Sequence, residues 1–317
     1  MVTAPARLHF GMLDPTGLGL RRFGGFGVGI ESPRVVVSVR PRSDEQVVVS
    51  GSQTDRATTF TRRARSWLQL SGGVNVDVRE AIPQHMGLGS GSKLGLAIAR
   101  GLAEAAGVTV GLQQLAEASG RGARSSVGAW TFAAPGLVIE AGVTDKGALS
   151  PLVARHPIPE LWRCVLALPL GVEGLSGEAE ERFFRQLGVS KDAEPSIARL
   201  LLTALLPGLL AGDIDEFGAA LARIQRVMGS IFASHQGGVF HPGAAPLVDA
   251  LQSIGVGAVG QSSWGPTVYG IVDGPERAAE VASRLRAAAP APTDVRVVDF
   301  DRRGAWLAGS ASGEGPA

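Results

Sequence analysis

A two-domain α+β fold is predicted by three observations. Strand-like and helix-like segments follow one another without the regular alternation of a parallel α/β protein. The length, 317 residues, exceeds the ~150 of an average domain, and prolines at 151, 157 and 159 mark a break near Leu149–Glu160. Glycine supplies 44 residues, with no three-residue period and interleaved with Val, Ile, Leu and Ala. That pattern excludes collagen and a disordered linker, and it calls for tight turns or close backbone approach to a ligand. The expected division is residues 1–155, residues 156–308 and a small, polar, disordered tail at 309–317.

The elements follow in order. Val2–Phe10 reads as a strand, and Gly11–Gly29, with seven glycines, as largely loop. Val35–Arg40 and Gln46–Ser50 are valine-rich and read as a pair of strands. Thr54–Leu70 places Phe60, Ala64, Trp67 and Leu68 on one helical face. Val74–Glu80 alternates apolar and polar residues, as a half-buried strand does. Ser92 is a good N-cap for a helix ending near Ala106. Gly111–Ser119 reads as a second helix and Leu137–Ala141 as a strand. The second half predicts strands at Arg163–Leu168, Val256–Val259, Thr267–Val272 and Val295–Asp299. Its helices are expected at Gly177–Leu187, Glu194–Leu210, Asp213–Ser234, Ala244–Ser253 and Pro275–Ala288.

Composition excludes some functions. Thirty basic residues against 29 acidic ones leave a formal charge of +1, without the basic surplus of a general nucleic-acid binder; a local basic pocket is not excluded. Cys164 is the single cysteine, so neither a disulfide framework nor a Cys-His zinc pattern exists. The amino terminus lacks the basic-then-apolar layout of a signal peptide. The longest apolar stretch, Ile197–Leu210, is interrupted by Arg199, Pro207 and Gly208 and falls short of the ~20 residues of a membrane span. A soluble cytoplasmic protein is expected, with neither nucleic acid nor membrane as partner.

The strongest chemical signal is Gly87-Leu88-Gly89-Ser90-Gly91-Ser92-Lys93, lying before a predicted helix. Small residues let backbone N–H groups approach an anion, and the helix adds its positive end. Ser90 and Ser92 add hydroxyls and Lys93 a charge. The Walker A pattern is absent, and the glycine spacing does not suit a dinucleotide fingerprint.

Pro83-x-x-x-Gly87-Leu88-Gly89-Ser90-Gly91-Ser92 resembles the phosphate-binding motif of the galactokinase, homoserine kinase, mevalonate kinase and phosphomevalonate kinase (GHMP) superfamily. Ala4-Pro5-Ala6-Arg7-Leu8-His9-Phe10-Gly11 resembles its amino-terminal motif, and Gly260-Gln261-Ser262-Ser263-Trp264-Gly265 its carboxy-terminal glycine loop. The resemblance implies a ribosomal S5 domain 2-like first domain and a ferredoxin-like second one. Kinases of the superfamily carry an Asp in the stretch matching Gly122–Phe132. This chain has none there, and Glu140 and Asp145 lie too far along to occupy the same position.

Arg7-Leu8-His9-Phe10-Gly11 followed by Asp14, the acid-free Gly-x-x-Ser125-Ser126-x-Gly stretch, and Gln261–Gly270 are similar to the β-ribofuranosylaminobenzene 5'-phosphate synthase branch. That resemblance implies an early step of methanopterin biosynthesis: phosphoribosyl pyrophosphate and 4-hydroxybenzoate or 4-aminobenzoate join, releasing pyrophosphate and CO2. It implies Mg2+ carried on the donor pyrophosphate, with the protein's own metal ligands unassigned, and a homodimer is expected. An ATP-dependent kinase and a non-catalytic metabolite sensor are the competing functions.

Within this frame the catalytic candidates are Lys93, Arg7, His9 and Asp14. Arg7 and His9 alternate with Leu8 and Phe10 and so share a strand face. Asp14, beside Pro15, is either a ligand or a turn former. Substrate contacts fall to Arg21, Arg124, Ser125, Ser126, Gln236, Gln261, Ser262, Ser263, Trp264 and Gly265. Arg21 is either an anion clamp or part of a solvated pair with Arg22. Trp264 either stacks on an aromatic acid or packs its loop.

Overall fold

A computed structural model describes residues 1–15, 21–121, 125–144, 149–174 and 194–308. The predicted helix at Gly177–Leu187, the tail at 309–317 and Arg124 lie outside these residues.

The first sheet begins with a long antiparallel hairpin, β1 (Val2–Asp14) and β2 (Phe23–Arg42). The glycine-rich stretch at 11–29 was expected to be largely loop, yet its described part is mostly strand. A side chain at Gly27 would strike the Leu8 carbonyl. Glycine here lets two strands and the helix behind them lie flush; it does not signal a turn. β3 (Val47–Gly51) and β4 (Gly73–Glu80) follow, and the two predicted valine-rich strands do not pair: β4 separates β2 from β3, running antiparallel to one and parallel to the other. β5 (Leu137–Glu140) pairs with β2 and with β6 (Leu152–His156), a strand inside the proline-marked break. A short late strand, β11 (Trp306–Leu307), returns to β1 at Val2 and Thr3.

α1 (Thr54–Trp67), α2 (Ser90–Ala105), α3 (Leu112–Ser119) and α4 (Val127–Ala133) cover this sheet. α2 starts two residues before the predicted cap. Gly89, at φ 77°, turns the chain into the helix from the left-handed region, which favours glycine over serine. Ser92 therefore sits inside the first turn.

The second sheet has the order β10-β7-β9-β8 and is antiparallel, from β7 (Trp162–Pro169), β8 (Ala258–Gln261), β9 (Val268–Asp273) and β10 (Thr293–Val298). The predicted helix at 194–210 is interrupted: α5 (Glu194–Leu200) and α6 (Leu206–Ala211) flank a π-turn at Leu201–Leu205, next to Pro207. α7 (Ile214–Gln236) starts on Asp213, whose carboxylate accepts from the N–H groups of Asp215 and Glu216. α8 (Ala245–Ser253) and α9 (Pro275–Ala288) pack on the sheet through Leu247, Val248, Leu251, Val281 and Leu285. The two sheets meet through aromatic rings: Phe10 of β1 lies 5.2 Å from Tyr269 of β9, and Trp162 lies 4.9 Å from Phe217 of α7. Among the described residues no helix is long and apolar enough to cross a membrane.

Candidate active site

A strand edge must satisfy its backbone groups. Over Arg7–His9 the edge of β1 facing away from β2 is covered by the two glycine loops. The Arg7 N–H donates to the Leu88 carbonyl (3.2 Å), the His9 N–H to Ser262 Oγ (3.0 Å), and the Ser263 N–H to the His9 carbonyl (3.3 Å). Ser262 Oγ also donates to the Gly87 carbonyl (2.8 Å), so the loops are tied to each other. Arg7 Nη1 donates to that carbonyl too. A side chain on Gly87 would collide with Ser262, and one on Gly265 with the backbone of Met86 and Gly87. The glycines are needed because two backbones touch. His85 (φ 58°) and Ser263 (φ 54°) hold left-handed conformations at the same junction, the sort of strain that gathers at functional loops. The three sequence motifs therefore converge.

At the start of α2, Ser90, Gly91 and Ser92 form the first turn, where N–H groups point outward without helical partners. Two arginines flank it. A Cβ on Gly91 would lie 2.7 Å from Arg121 Nη2 and 2.8 Å from Arg56 Nη2. Arg56 donates to Gln53 (2.9 Å), and the Arg121 guanidinium lies over the Phe60 ring at 5.0 Å. Two cations beside a helix N-terminus make an anion site. Sequence reasoning missed both, because Arg56 lies on α1 and Arg121 just past the end of α3, and neither carries a local motif. Lys93 is placed otherwise than a solvated first-turn lysine: it is fully buried, and its Nζ donates to Thr131 Oγ1 of α4 (3.0 Å). Burial lowers its pKa to about 7, with Asp301 opposing the shift and Arg7 adding to it.

The stretch without an acid acquires one through the fold. Glu140, at the end of β5, is fully buried and accepts from Ser125 Oγ (3.1 Å), the Ser126 N–H (3.1 Å) and the Gly142 N–H (3.0 Å), and from the Ser150 hydroxyl. Burial raises its carboxyl above the ordinary value, and these four donors oppose the shift. Ser125 Oγ also lies 3.2 Å from His9 Nε2. Burial, then the charge of Arg7, lowers His9 to about 3, so the imidazole is neutral at physiological pH. Ser126 Oγ accepts from the Ser150 N–H (2.9 Å). The sequence reading set Glu140 aside as too far along the chain; β5 doubles back beside α4 and brings it to Ser125 and Ser126.

Beside His9, a narrow cleft runs between β1 and α7. Its apolar walls come from Met12, Met228, Phe232, Phe240 and Trp264. Trp264 is 4% exposed and packs on Phe232 with ring centroids 4.1 Å apart, so it packs its loop and walls the cleft at once. Gln225, Gln236 and Gln261 are braced against one another. Gln225 Oε1 accepts from the Gln261 N–H (2.9 Å), and Gln261 Nε2 donates to Gln236 Oε1 (3.2 Å) and to the Ser263 carbonyl (3.0 Å). Gln236 and Gln261 thus hold the wall. Arg21 donates to the Gly142 carbonyl (3.0 Å), and Asp14 ends β1 opposite Phe23.

Residues 55–132 match the GHMP kinases N terminal domain and residues 205–291 the GHMP kinases C terminal domain. A beta-ribofuranosylphenol 5'-phosphate synthase of Archaeoglobus fulgidus is 32% identical over 282 residues, covering 85% of this chain and 86% of that protein. The chain belongs to that synthase family. A synthase of the same name from Methanothermobacter thermautotrophicus is 29% identical over 97% of this chain and 98% of its own. Among solved structures, homoserine kinase from Cytophaga hutchinsonii superposes with a TM-score of 0.71 at 16% identity, covering 96% of each chain. L. major mevalonate kinase in complex with R-mevalonate gives 0.71 at 13% identity, over 95% of this chain and 96% of its own. This synthase-family enzyme therefore has the GHMP kinase fold, in which the Ser125–Ser126 stretch takes its carboxylate from Glu140 of the neighbouring strand.

Proposed function

We propose that this enzyme joins C1 of phosphoribosyl pyrophosphate to a ring carbon of 4-hydroxybenzoate, releasing pyrophosphate and CO2. The carrying observation is the two-sided site. A helix N-terminus flanked by Arg56 and Arg121 adjoins an apolar cleft, and Arg7 and His9 of one strand link them. A polyanionic leaving group suits the first side and an aromatic ring the second. The name carried by the relatives specifies a phenol product, which favours 4-hydroxybenzoate over 4-aminobenzoate. The reading assigns the product to an early step of methanopterin assembly.

Departure of pyrophosphate leaves an oxocarbenium-like ribosyl centre. The ring carbon bearing the carboxylate lies para to an electron-donating oxygen and attacks it. The aryl–carboxylate bond then breaks, its electron pair restores the ring, and CO2 leaves. The N–H groups of Ser90, Gly91 and Ser92, with Arg56 and Arg121, stabilise charge on the leaving group. Lys93, sealed behind the loop, supports it from within. Mg2+ would enter on the donor pyrophosphate, where it supplies further charge neutralisation, and the Ser90 and Ser92 hydroxyls are the oxygen ligands the loop offers it.

The test mixes purified protein, Mg2+, phosphoribosyl pyrophosphate and carboxyl-labelled 4-hydroxybenzoate and follows pyrophosphate and labelled CO2. Equimolar release of both is expected. Consumption of ATP with a small alcohol, and no CO2 from the first mixture, would make the protein a kinase; inactivity in both would make it a sensor.

A further inference from the structure

The buried Glu140–Ser125–His9 chain is not explained by donor binding. Its hydrogen bonds have one consistent polarity. The Glu140 carboxyl accepts the fixed backbone N–H groups of Ser126 and Gly142 and, when ionised, the Ser125 and Ser150 hydroxyls as well. Beside an ionised Glu140, the single hydroxyl proton of Ser125 goes to Oε1, 3.1 Å away. In that arrangement Ser125 Oγ accepts from His9 Nε2, 3.2 Å away. His9 is thus a neutral imidazole with its proton on Nε2 and a lone pair on Nδ1. It also lines the apolar cleft, whose glutamines are engaged with one another and with backbone.

We propose that His9 is the base for the acceptor's para hydroxyl and that Ser125 and Glu140 are positioning residues that fix its tautomer. The inference rests on the synthase reading above. As the ring carbon attacks C1 of the ribosyl group, the hydroxyl proton passes to His9 Nδ1 and the oxygen's electrons enter the ring. The imidazolium formed is stabilised through Ser125 by the Glu140 carboxylate, the logic by which a buried acid supports a catalytic histidine. When the aryl–carboxylate bond breaks, its electron pair refills the ring and the proton returns to the oxygen. No net proton is consumed.

The experiment compares wild type, Ser125→Ala, Ser125→Thr and Glu140→Gln with two acceptors, 4-hydroxybenzoate and 3,5-difluoro-4-hydroxybenzoate, whose phenol ionises far more readily. A positioned base contributes about 10²–10⁴-fold. Ser125→Ala and Glu140→Gln are expected to lower kcat about 100-fold with 4-hydroxybenzoate and at least tenfold less than that with the difluoro acceptor. KM for phosphoribosyl pyrophosphate should stay unchanged, and Ser125→Thr should retain activity. Nitrogen-15 NMR of His9 should report the Nε2–H tautomer in the wild type and its loss in Ser125→Ala. Equal losses with both acceptors, an unaffected kcat, or an Nδ1–H tautomer in the wild type would overturn the inference while leaving the synthase reading intact. A wild type that releases no CO2 from either acceptor would overturn the synthase reading itself.

Discussion

Lys93 shows how burial changes what a residue in a motif does. Sequence places it in the first turn of a helix, where a lysine is normally solvated; packing against α4 removes it from water. Its proton is held more weakly in the folded chain, at about pH 7, than in the unfolded chain near 10.5. Between these values the unfolded state binds more protons, so the wild type gains stability as pH rises from 7 towards 10.5, by at most ~1.4 kcal/mol per pH unit. Lys93→Met removes this dependence. Denaturant titrations of both proteins across pH 7–10 should show the wild type gaining on the variant; parallel curves would refute the shift. Glu140 shows the complementary case. Its side chain enters the Ser125–Ser126 stretch from 14 or 15 residues along, a separation no local pattern encodes.

At the scale of elements, loop docking and helix packing decide the geometry. The loops around Gly87 and Gly265 touch backbone to backbone, so Gly265→Ala should force them apart. Synthase activity is expected to fall at least 100-fold with Tm lowered by only a few degrees, read by turnover and thermal unfolding. α7 joins the two sheets through Phe217, which is fully buried against Trp162 and Phe10. Phe217→Ala should cost about 3–5 kcal/mol in denaturant unfolding, the usual cost of deleting a buried aromatic ring. Helix α7 was legible because its Asp213 cap and apolar face are local features, and α8 and α9 because an opening proline and an apolar face are local too. The β1–β2 hairpin was not, because its glycines answer to the neighbouring strand and to α4 and leave no periodic trace. The π-turn inside the predicted 194–210 helix was hidden for the same reason, its residues being apolar in either conformation.

Across the whole molecule, the site lies where the first sheet, the second sheet and α7 meet, and its electrostatics belong to that meeting. His9 is buried among Gly25, Ser125 and the Ser262–Ser263 loop, and this burial, with the charge of Arg7, lowers it to about 3 from an ordinary value near 6.5. In that interval the unfolded chain binds the extra proton, so the stability His9 permits is present above pH 6.5 and is lost as pH falls towards 3. Unfolding at pH 7 and pH 4 should therefore show a smaller acid loss for His9→Gln than for the wild type; equal losses would show that other groups control acid unfolding. The near-zero net charge of the chain agrees with an anion site built from backbone N–H groups and two arginines.

By itself the sequence determined the α+β class, most helix positions, the three glycine-bearing motifs and the family they resemble. Those properties reside in local spacing, capping and residue size. Only the tertiary structure decided that Arg56 and Arg121 flank the loop, that Lys93 is sealed behind it, and that Glu140 reaches Ser125 and, through it, His9. Each of those outcomes depends on side chains from segments far apart in the chain being desolvated together, and desolvation is a property of the packed molecule.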